Sequence, residues 1–160
     1  MATVRLLMLF CVRHASGTDF GATQAIAGLA DFIPASQFGS PLSSVISNLP
    51  QVIAAIDTAR SDPDDLFITT DTTGDLGASF WPPAGQTRNF QAGQSATVML
   101  DFEFVYSINF SLWDYDSSSS NDLLGSITVF EQEAGQGEIA RLAKSDVEGS
   151  AYYVFYEVFA

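Results

Sequence analysis

Three aspartates in one polar stretch, Asp114, Asp116 and Asp122, have the residue type and the spacing of a cation site. Apolar runs flank the stretch, at 108–113 and 126–130, and both are typical of strands. A strand end, a loop and a strand start bring the three carboxylates together. Carboxylate oxygens in such number suit Ca²⁺, which takes about six to eight oxygen ligands in flexible geometry. The stretch therefore predicts a calcium site between two strands.

Other metals fit this loop poorly. It contains no His or Cys, the ligands that zinc and the softer transition metals prefer. A solvated acidic turn is the alternative, because Asp, Asn and Ser are the residues that turns prefer. Residues 117–120 are all serine, which fits such a turn. The loop residues alone leave both interpretations open.

The stretch 113–125, WDYDSSSSNDLLG, resembles the third calcium loop of C-two domains, the calcium- and phospholipid-binding β-sandwiches of synaptotagmin and protein kinase C. That family's loop has an aliphatic residue, an aromatic residue, Asp-x-Asp, five loop residues, Asp, two aliphatic residues and Gly. The resemblance implies that Asp114, Asp116 and Asp122 are calcium ligands.

The same resemblance implies further ligands upstream. The family's first calcium loop ends in Ser-Asp-Pro, and Asp62, which stands between Ser61 and Pro63, lies 52 residues before Asp114. Asp64 or Asp65 follows directly, and Asp57 matches the earlier aspartate of that loop, although it also fits the end of a helix. The implied cofactor is one or two Ca²⁺ ions.

A bacterial C-two-like group offers a further likeness. Its Asp-(Asp/Glu)-Pro-Tyr strand start, its Trp-Pro and its terminal Tyr-x-x-x-Tyr-x-Val resemble the residues at 62–66, 81–82 and 152–158. The resemblance covers residues 57–159 and a first strand. It also implies lipid as a partner, but the loop tip is four serines without a basic cluster, which weakens that expectation.

The charge balance excludes one class of partner and limits another. Nineteen acidic residues stand against six basic ones, for a net charge of −13. Nucleic-acid binding is excluded, because it needs clustered Lys and Arg to neutralise phosphates. An anionic membrane would likewise be repelled unless cations bridge the two surfaces.

The sequence offers little for catalysis, and we expect no enzyme. His14 is the sole histidine, lies at the end of the first predicted strand without a partner motif, and fits an ordinary surface position. A chain whose other candidate bases are carboxylates is a poor hydrolase prospect. Cys11 is the sole cysteine and is expected to be buried and inert.

The pattern of apolar residues predicts a mainly β fold, an eight-stranded antiparallel β-sandwich forming a single domain over 1–160. A long first strand covers 3–14, and an α-helical insertion follows at about 20–58, where C-two domains have a short loop. Helical spacing extends to Ile33 in its first part, and Pro50 should kink or restart the second. We expect the insertion to pack on the sandwich, with a partner-protein groove as the alternative.

The N-terminal apolar run imitates a short signal peptide, but removing it would delete the predicted first strand. No run reaches the roughly 18 apolar residues of a membrane-spanning helix. The sequence therefore does not give the compartment. A low calcium affinity would favour an extracellular or cell-surface location. The sequence predicts a calcium-binding, non-enzymatic module that mediates interaction or assembly. The alternative is a structural, self-assembling subunit in which calcium only stabilises the fold.

Overall fold

The computed structural model describes residues 1–15, 20–39, 41–57, 62–83 and 85–160. Within these residues the chain forms nine strands and three short α-helices. The strands are β1 Ala2–Arg13, β2 Phe32–Pro34, β3 Asp64–Thr69, β4 Arg88–Phe90, β5 Ser95–Phe104, β6 Ser107–Asp114, β7 Asp122–Phe130, β8 Ile139–Ser145 and β9 Ser150–Phe159. The helices are α1 Phe20–Ala27, α2 Leu42–Ile46 and α3 Pro50–Ala55. No helix in the described part of the chain is long and apolar enough to cross a membrane.

The strands form two antiparallel sheets, as predicted. The first has the order β2-β8-β9-β1-β5, and the second has the order β4-β3-β6-β7. Buried side chains from both sheets form one hydrophobic core between them. The sequence predicts eight strands and the described residues form nine. The strands β2 and β4 escaped prediction because they are only three residues long and carry no alternating pattern of their own.

The central strand β9 shows why the chain folds as layers. Tyr152 and Tyr156 belong to the core between the sheets, whereas Tyr153 and Phe155 lie in a second buried cluster on the outer face of the same sheet. A strand covered on both faces has to be apolar at nearly every position. The ten residues of β9 accordingly include a single charged side chain, Glu157.

The helical insertion covers the outer face of the five-stranded sheet. Its buried residues Ile26, Leu42 and Val52 pack with side chains of β1, β8 and β9. This confirms the expectation that the insertion packs on the sandwich, and α3 begins at Pro50 as a fresh helix. The prediction was wrong at Ile33, which lies in β2 and pairs with Ala140 of β8, because tertiary pairing overrides a weak helical spacing.

Two positions show where close packing or a tight turn constrains the backbone. Gly125 of β7 has φ +147°, and a Cβ there would lie 2.5 Å from the backbone nitrogen of Lys144 in β8, so the two sheets approach closely at this corner. The alternation of apolar residues over 98–106 predicts that Tyr106 faces the core, but its side chain is 76% exposed. It has φ +67°, and the Ser107 N–H donates to the Val105 carbonyl at 2.8 Å, which makes a tight γ-turn between β5 and β6.

Four segments meet at one end of the sandwich. The end of β1 pairs with the start of β9, since Arg13 lies opposite Ala151. The β8–β9 turn lies beside them, because Ser145 pairs with Ser150. In the other sheet the start of β3 pairs with the end of β6 through Leu66 and Asp114. The loop between β6 and β7 therefore lies at the same end as the start of β3.

Candidate functional site

The strand register places three of the predicted ligands at the end of the sandwich, on the side that faces the other sheet. Leu66 of β3 lies in the core, and Asp64 is two residues earlier on the same face. Asp114 pairs with Leu66 across the sheet and with Asp122 on its other side. Because directly paired side chains lie on one face, the carboxylates of β3, β6 and β7 converge.

Asp64 is the most buried of these groups, with 1% of its surface exposed. The Tyr152 hydroxyl donates to its Oδ2, and the Ala15 N–H donates to Oδ1 at 2.9 Å and to Oδ2 at 3.1 Å. Burial raises the pKa of Asp64 to about 7, and the charges of Asp114 and Glu148 add to this rise. The hydrogen bonds from Tyr152 and Ala15 oppose it without cancelling it. The sequence offered Asp64 and Asp65 as alternatives, and only Asp64 points between the sheets.

Asp114 lies at the end of β6 and is half-buried. Its Oδ1 accepts a hydrogen bond from the Asp65 N–H at 2.6 Å, which ties the ends of β3 and β6 together. Burial raises the pKa of Asp114, and the charges of Asp65, Asp122 and Asp116 raise it further. Asp114 is therefore the carboxylate on which the predicted loops converge.

Glu148 belongs to the same group, although sequence reasoning missed it. It lies in the turn between β8 and β9, where its N–H donates to the Ser145 Oγ at 3.1 Å. Burial raises the pKa of Glu148, followed by the charges of Asp122 and Asp114. No local motif marks Glu148, since only the pairing of the two sheets brings this turn to the aspartates. We call Asp64, Asp114, Asp122 and Glu148 the acidic mouth.

Asp116, the middle residue of the Asp-x-Asp motif, is satisfied by its own loop. Its Oδ1 accepts from the Ser118 N–H at 2.7 Å and from the Ser118 hydroxyl at 2.8 Å, and its Oδ2 accepts from the Ser119 hydroxyl at 2.6 Å. These hydrogen bonds, led by the one from Ser119, lower the pKa of Asp116 to about 2. Ser118 and Ser119, at the tip of the loop, therefore keep this carboxylate ionised.

The remaining predicted ligands lie around the mouth in different settings. Asp65 faces away from the core and accepts from the Asn89 side chain at 2.8 Å. Asp57 follows α3, and its Oδ2 lies 3.6 Å from the Arg13 guanidinium. Asp62 is exposed. Ser61, part of the matched Ser-Asp-Pro, lies outside the described residues.

Arginines in the described residues pair with carboxylates that are not members of the mouth. Arg5 pairs with Asp101 and Arg141 pairs with Glu133, in addition to the contact between Arg13 and Asp57. His14, predicted to be a surface histidine, directly follows β1 and is only 1% exposed, and its Nδ1 accepts from the Ala92 N–H at 3.1 Å. Cys11 is buried, as predicted.

The side-chain positions do not form a ready-made metal centre. Among the residues that the structure describes, no group of three or more His, Cys, Asp or Glu side chains is arranged to hold an ion. The donor set still fits a hard cation, because every member of the mouth is a carboxylate. Binding would therefore need the loops to move, including release of Asp116 from its serines.

Comparison with known proteins does not assign a family. No protein-family model and no curated protein matches the sequence significantly. Solved structures of human GIVD cytosolic phospholipase A2 match 99% of this chain, which spans only 16–17% of theirs. The form with methyl gamma-linolenyl fluorophosphonate has 15% identity and a TM-score of 0.40, and the form without it has 13% identity and a TM-score of 0.41. A third, with the inhibitor and terbium chloride, has 14% identity and a TM-score of 0.41. Similarity this low carries no functional argument, so the resemblance to C-two domains stays a prediction.

Proposed function

We propose that this protein is a calcium-binding, non-enzymatic module in which Ca²⁺ is held by aspartates at one end of a β-sandwich. The observation that carries the proposal is the acidic mouth, where burial and neighbouring negative charges raise the pKa values of Asp64, Asp114 and Glu148. Ionised carboxylates that repel one another destabilise the empty fold. A bound divalent cation removes that repulsion and supplies a partner for each carboxylate.

The proposed ligand set centres on Asp114 and Asp122, which pair directly across two strands. Asp64 contributes from β3 of the same sheet and Glu148 from the β8–β9 turn of the other sheet, and Asp116 joins when it leaves Ser118 and Ser119. Asp62, which precedes β3, and Asp65, which lies on it, are the additional oxygen donors that the resemblance implies. Asp57 is a weaker candidate because it already contacts Arg13.

Calcium binding would then control how the loops present themselves to a partner. An empty mouth has loops held by hydrogen bonds to serines and backbone groups, whereas a filled mouth redirects the same carboxylates to one ion. The resemblance to C-two domains makes lipid a possible partner class, but residues 117–120 offer only serine hydroxyls. We expect weak binding to anionic vesicles even with calcium, because the protein carries a net charge of −13.

Melting temperature in calcium, in magnesium and in chelator tests the proposal. An ion that binds only the native state adds about 2.7 kcal/mol at a hundred times its Kd, which is several degrees for a domain of this size. Magnesium should do much less, since it requires octahedral geometry and releases water reluctantly. Asp114→Asn should abolish most of the calcium shift, whereas Glu103→Gln, which removes one exposed charge on β5, should preserve it. Equal melting temperatures of the unmodified protein in calcium and chelator would refute the proposal.

Self-association is a second candidate function, and the opposite end of the sandwich favours it. The γ-turn holds Tyr106 in solvent, and the exposed side chains of Met1, Val105, Phe130 and Phe159 lie at the same end. Glu131 fixes the turn from both sides, since its Oε2 accepts from the Tyr106 N–H and its own N–H donates to the Tyr106 carbonyl. Sedimentation velocity with and without chelator decides between a monomer and an assembly. The variant Tyr106→Ser should weaken any assembly that uses this end.

A further inference from the structure

A pocket of about 430 Å³ lies between the helical insertion and the outer face of the five-stranded sheet. Ile33 of β2 and Tyr153 of β9 line it from the sheet, and Leu49 and Val52 line it from the start of α3. Phe38 closes one side and is partly exposed. The pocket lies on the other face of β9 from the core that ends at the acidic mouth.

Among the residues that the structure describes, the lining of this pocket carries no charged side chain, although the chain has nineteen acidic and six basic residues. Its polar groups are the side-chain amides of Gln37 and Gln51 and the hydroxyl of Tyr153. The Tyr153 hydroxyl donates its one hydrogen to the Ala30 carbonyl at 2.9 Å, so its oxygen can only accept from a further group. Burial and the charge of Asp31 raise the pKa of Tyr153 to about 12, which keeps the hydroxyl protonated.

Size and charge define the occupant. The volume lies in the range of about 300–1,000 Å³ that is usual for small-molecule sites. An α-helix about 10 Å across would fill it with a single turn, so a docking peptide or protein segment fits poorly. The net charge of −13 disfavours an anion, and a cation would find no carboxylate among the described residues of the lining.

We propose that the pocket beneath the helical insertion binds a small neutral molecule that has an apolar body and one hydrogen-bond donor group. The apolar body lies against Ile33, Leu49 and Val52, and the donor group meets the Tyr153 oxygen or a glutamine amide. The insertion then has a role of its own, separate from calcium at the mouth. The proposal does not depend on the proposed function.

Gly28 gives a direct way to fill the pocket. It lines the cavity, and a Cβ built on it would meet no atom of its surroundings within 4 Å. A leucine at this position can therefore occupy the open volume without a backbone clash. Thr97→Leu is the matched control. Thr97 is exposed on β5, so this substitution adds the same apolar side chain away from the pocket.

The test uses the neutral fluorescent probe N-phenyl-1-naphthylamine, with 1-decanol as competitor. We expect saturable binding at one site, displacement by decanol, and the same affinity in calcium and in chelator. Gly28→Leu should weaken probe binding at least tenfold, and Thr97→Leu should leave it unchanged. If Gly28→Leu does not fold, as judged by its melting curve, Leu49→Trp fills the pocket from the opposite wall and should have the same effect.

Two results obtained at a single calcium concentration would overturn the proposal. One is the absence of saturable probe binding to the unmodified protein. The other is equal binding by a folded pocket-filling variant, which would show adsorption to another surface. A calcium-dependent affinity would place the probe at the mouth and would also contradict it. Failure of the calcium experiment alone leaves this pocket unaffected, so the two proposals can fail separately.

Discussion

Tyr152 and Tyr156 lie on the same face of β9, and each donates a hydrogen bond to a buried carboxylate. Tyr156 bonds Glu133, which is 5% exposed and also accepts from the Arg141 guanidinium at 2.5 Å. Tyr152 bonds Asp64, whose neighbours Asp114 and Glu148 are themselves acidic. One strand thus carries two buried acids in opposite electrostatic surroundings.

The difference shows how this fold treats negative charge. At Glu133 the fold supplies a positive charge, the Arg141 guanidinium. This group also lies 5.0–6.0 Å from the ring centres of Phe32, Phe130 and Tyr156. At the acidic mouth the fold supplies hydrogen-bond donors and further carboxylates. The first arrangement is complete without a ligand, whereas the second is the one that a cation from solution would stabilise.

Replacing Arg141, the positive partner of Glu133, should have the largest effect on the free energy of unfolding. Arg141→Met keeps an apolar stem but leaves Glu133 buried without its positive partner. We expect a loss of about 3–5 kcal/mol in the free energy of unfolding, measured by urea denaturation. Arg5→Met breaks the exposed pair with Asp101 and should cost about 1 kcal/mol or less. Similar costs for the two variants would mean that the Glu133 network is not what we describe.

The pH dependence of stability should reveal Asp64 next. Its pKa of about 7 in the folded protein lies above the ordinary value, so the folded state keeps a proton that the unfolded state has lost. The stabilisation is fully present below about pH 4 and is lost as pH rises towards 7, by an amount on the order of 4 kcal/mol. Asp64→Asn should lack this part of the profile. Identical profiles for the two proteins between pH 4 and 8 would contradict the assignment.

A smaller effect should follow from Asp114→Asn in chelator. The amide can still accept from the Asp65 N–H, while the repulsion with Asp65, Asp122 and Asp116 disappears. We expect the free energy of unfolding to rise by about 1 kcal/mol at pH 7.5. Asp116→Asn is the comparison and should not stabilise, because it weakens the hydrogen bonds from Ser118 and Ser119. A stabilised Asp116 variant would reverse the roles that we give these two residues.

Much of the fold could be predicted from sequence, because alternation and apolar runs report local burial. The strands β1, β5, β6, β7 and β9 follow such patterns, and so does the break at Pro50. The helix predicted through Ile33 was wrong, since pairing with β8 decides that segment. Tyr106 was misplaced because the alternation of β5 gives no warning of a γ-turn.

The candidate site likewise has residues that could be predicted from sequence and others that could not. Asp114, Asp116 and Asp122 could be predicted because their spacing is local, but their different hydrogen bonds could not. Glu148 reaches the mouth only through the pairing of β8 with β9 and the packing of the two sheets, which no short motif records. Asp64 and Asp65 are adjacent, and only the register with β6 decides which faces inward.

Calcium titration followed by amide chemical shifts in NMR tests whether the acidic mouth binds Ca²⁺. We expect saturable shifts at 62–66, 114–122 and 145–150, with little change at Arg141, Glu133 and Tyr156. Asp114→Asn should remove those shifts, and Glu103→Gln should retain them. If five millimolar calcium leaves the amides of the acidic mouth unchanged, the carboxylates form only a solvated end of the sandwich and the proposed function is wrong.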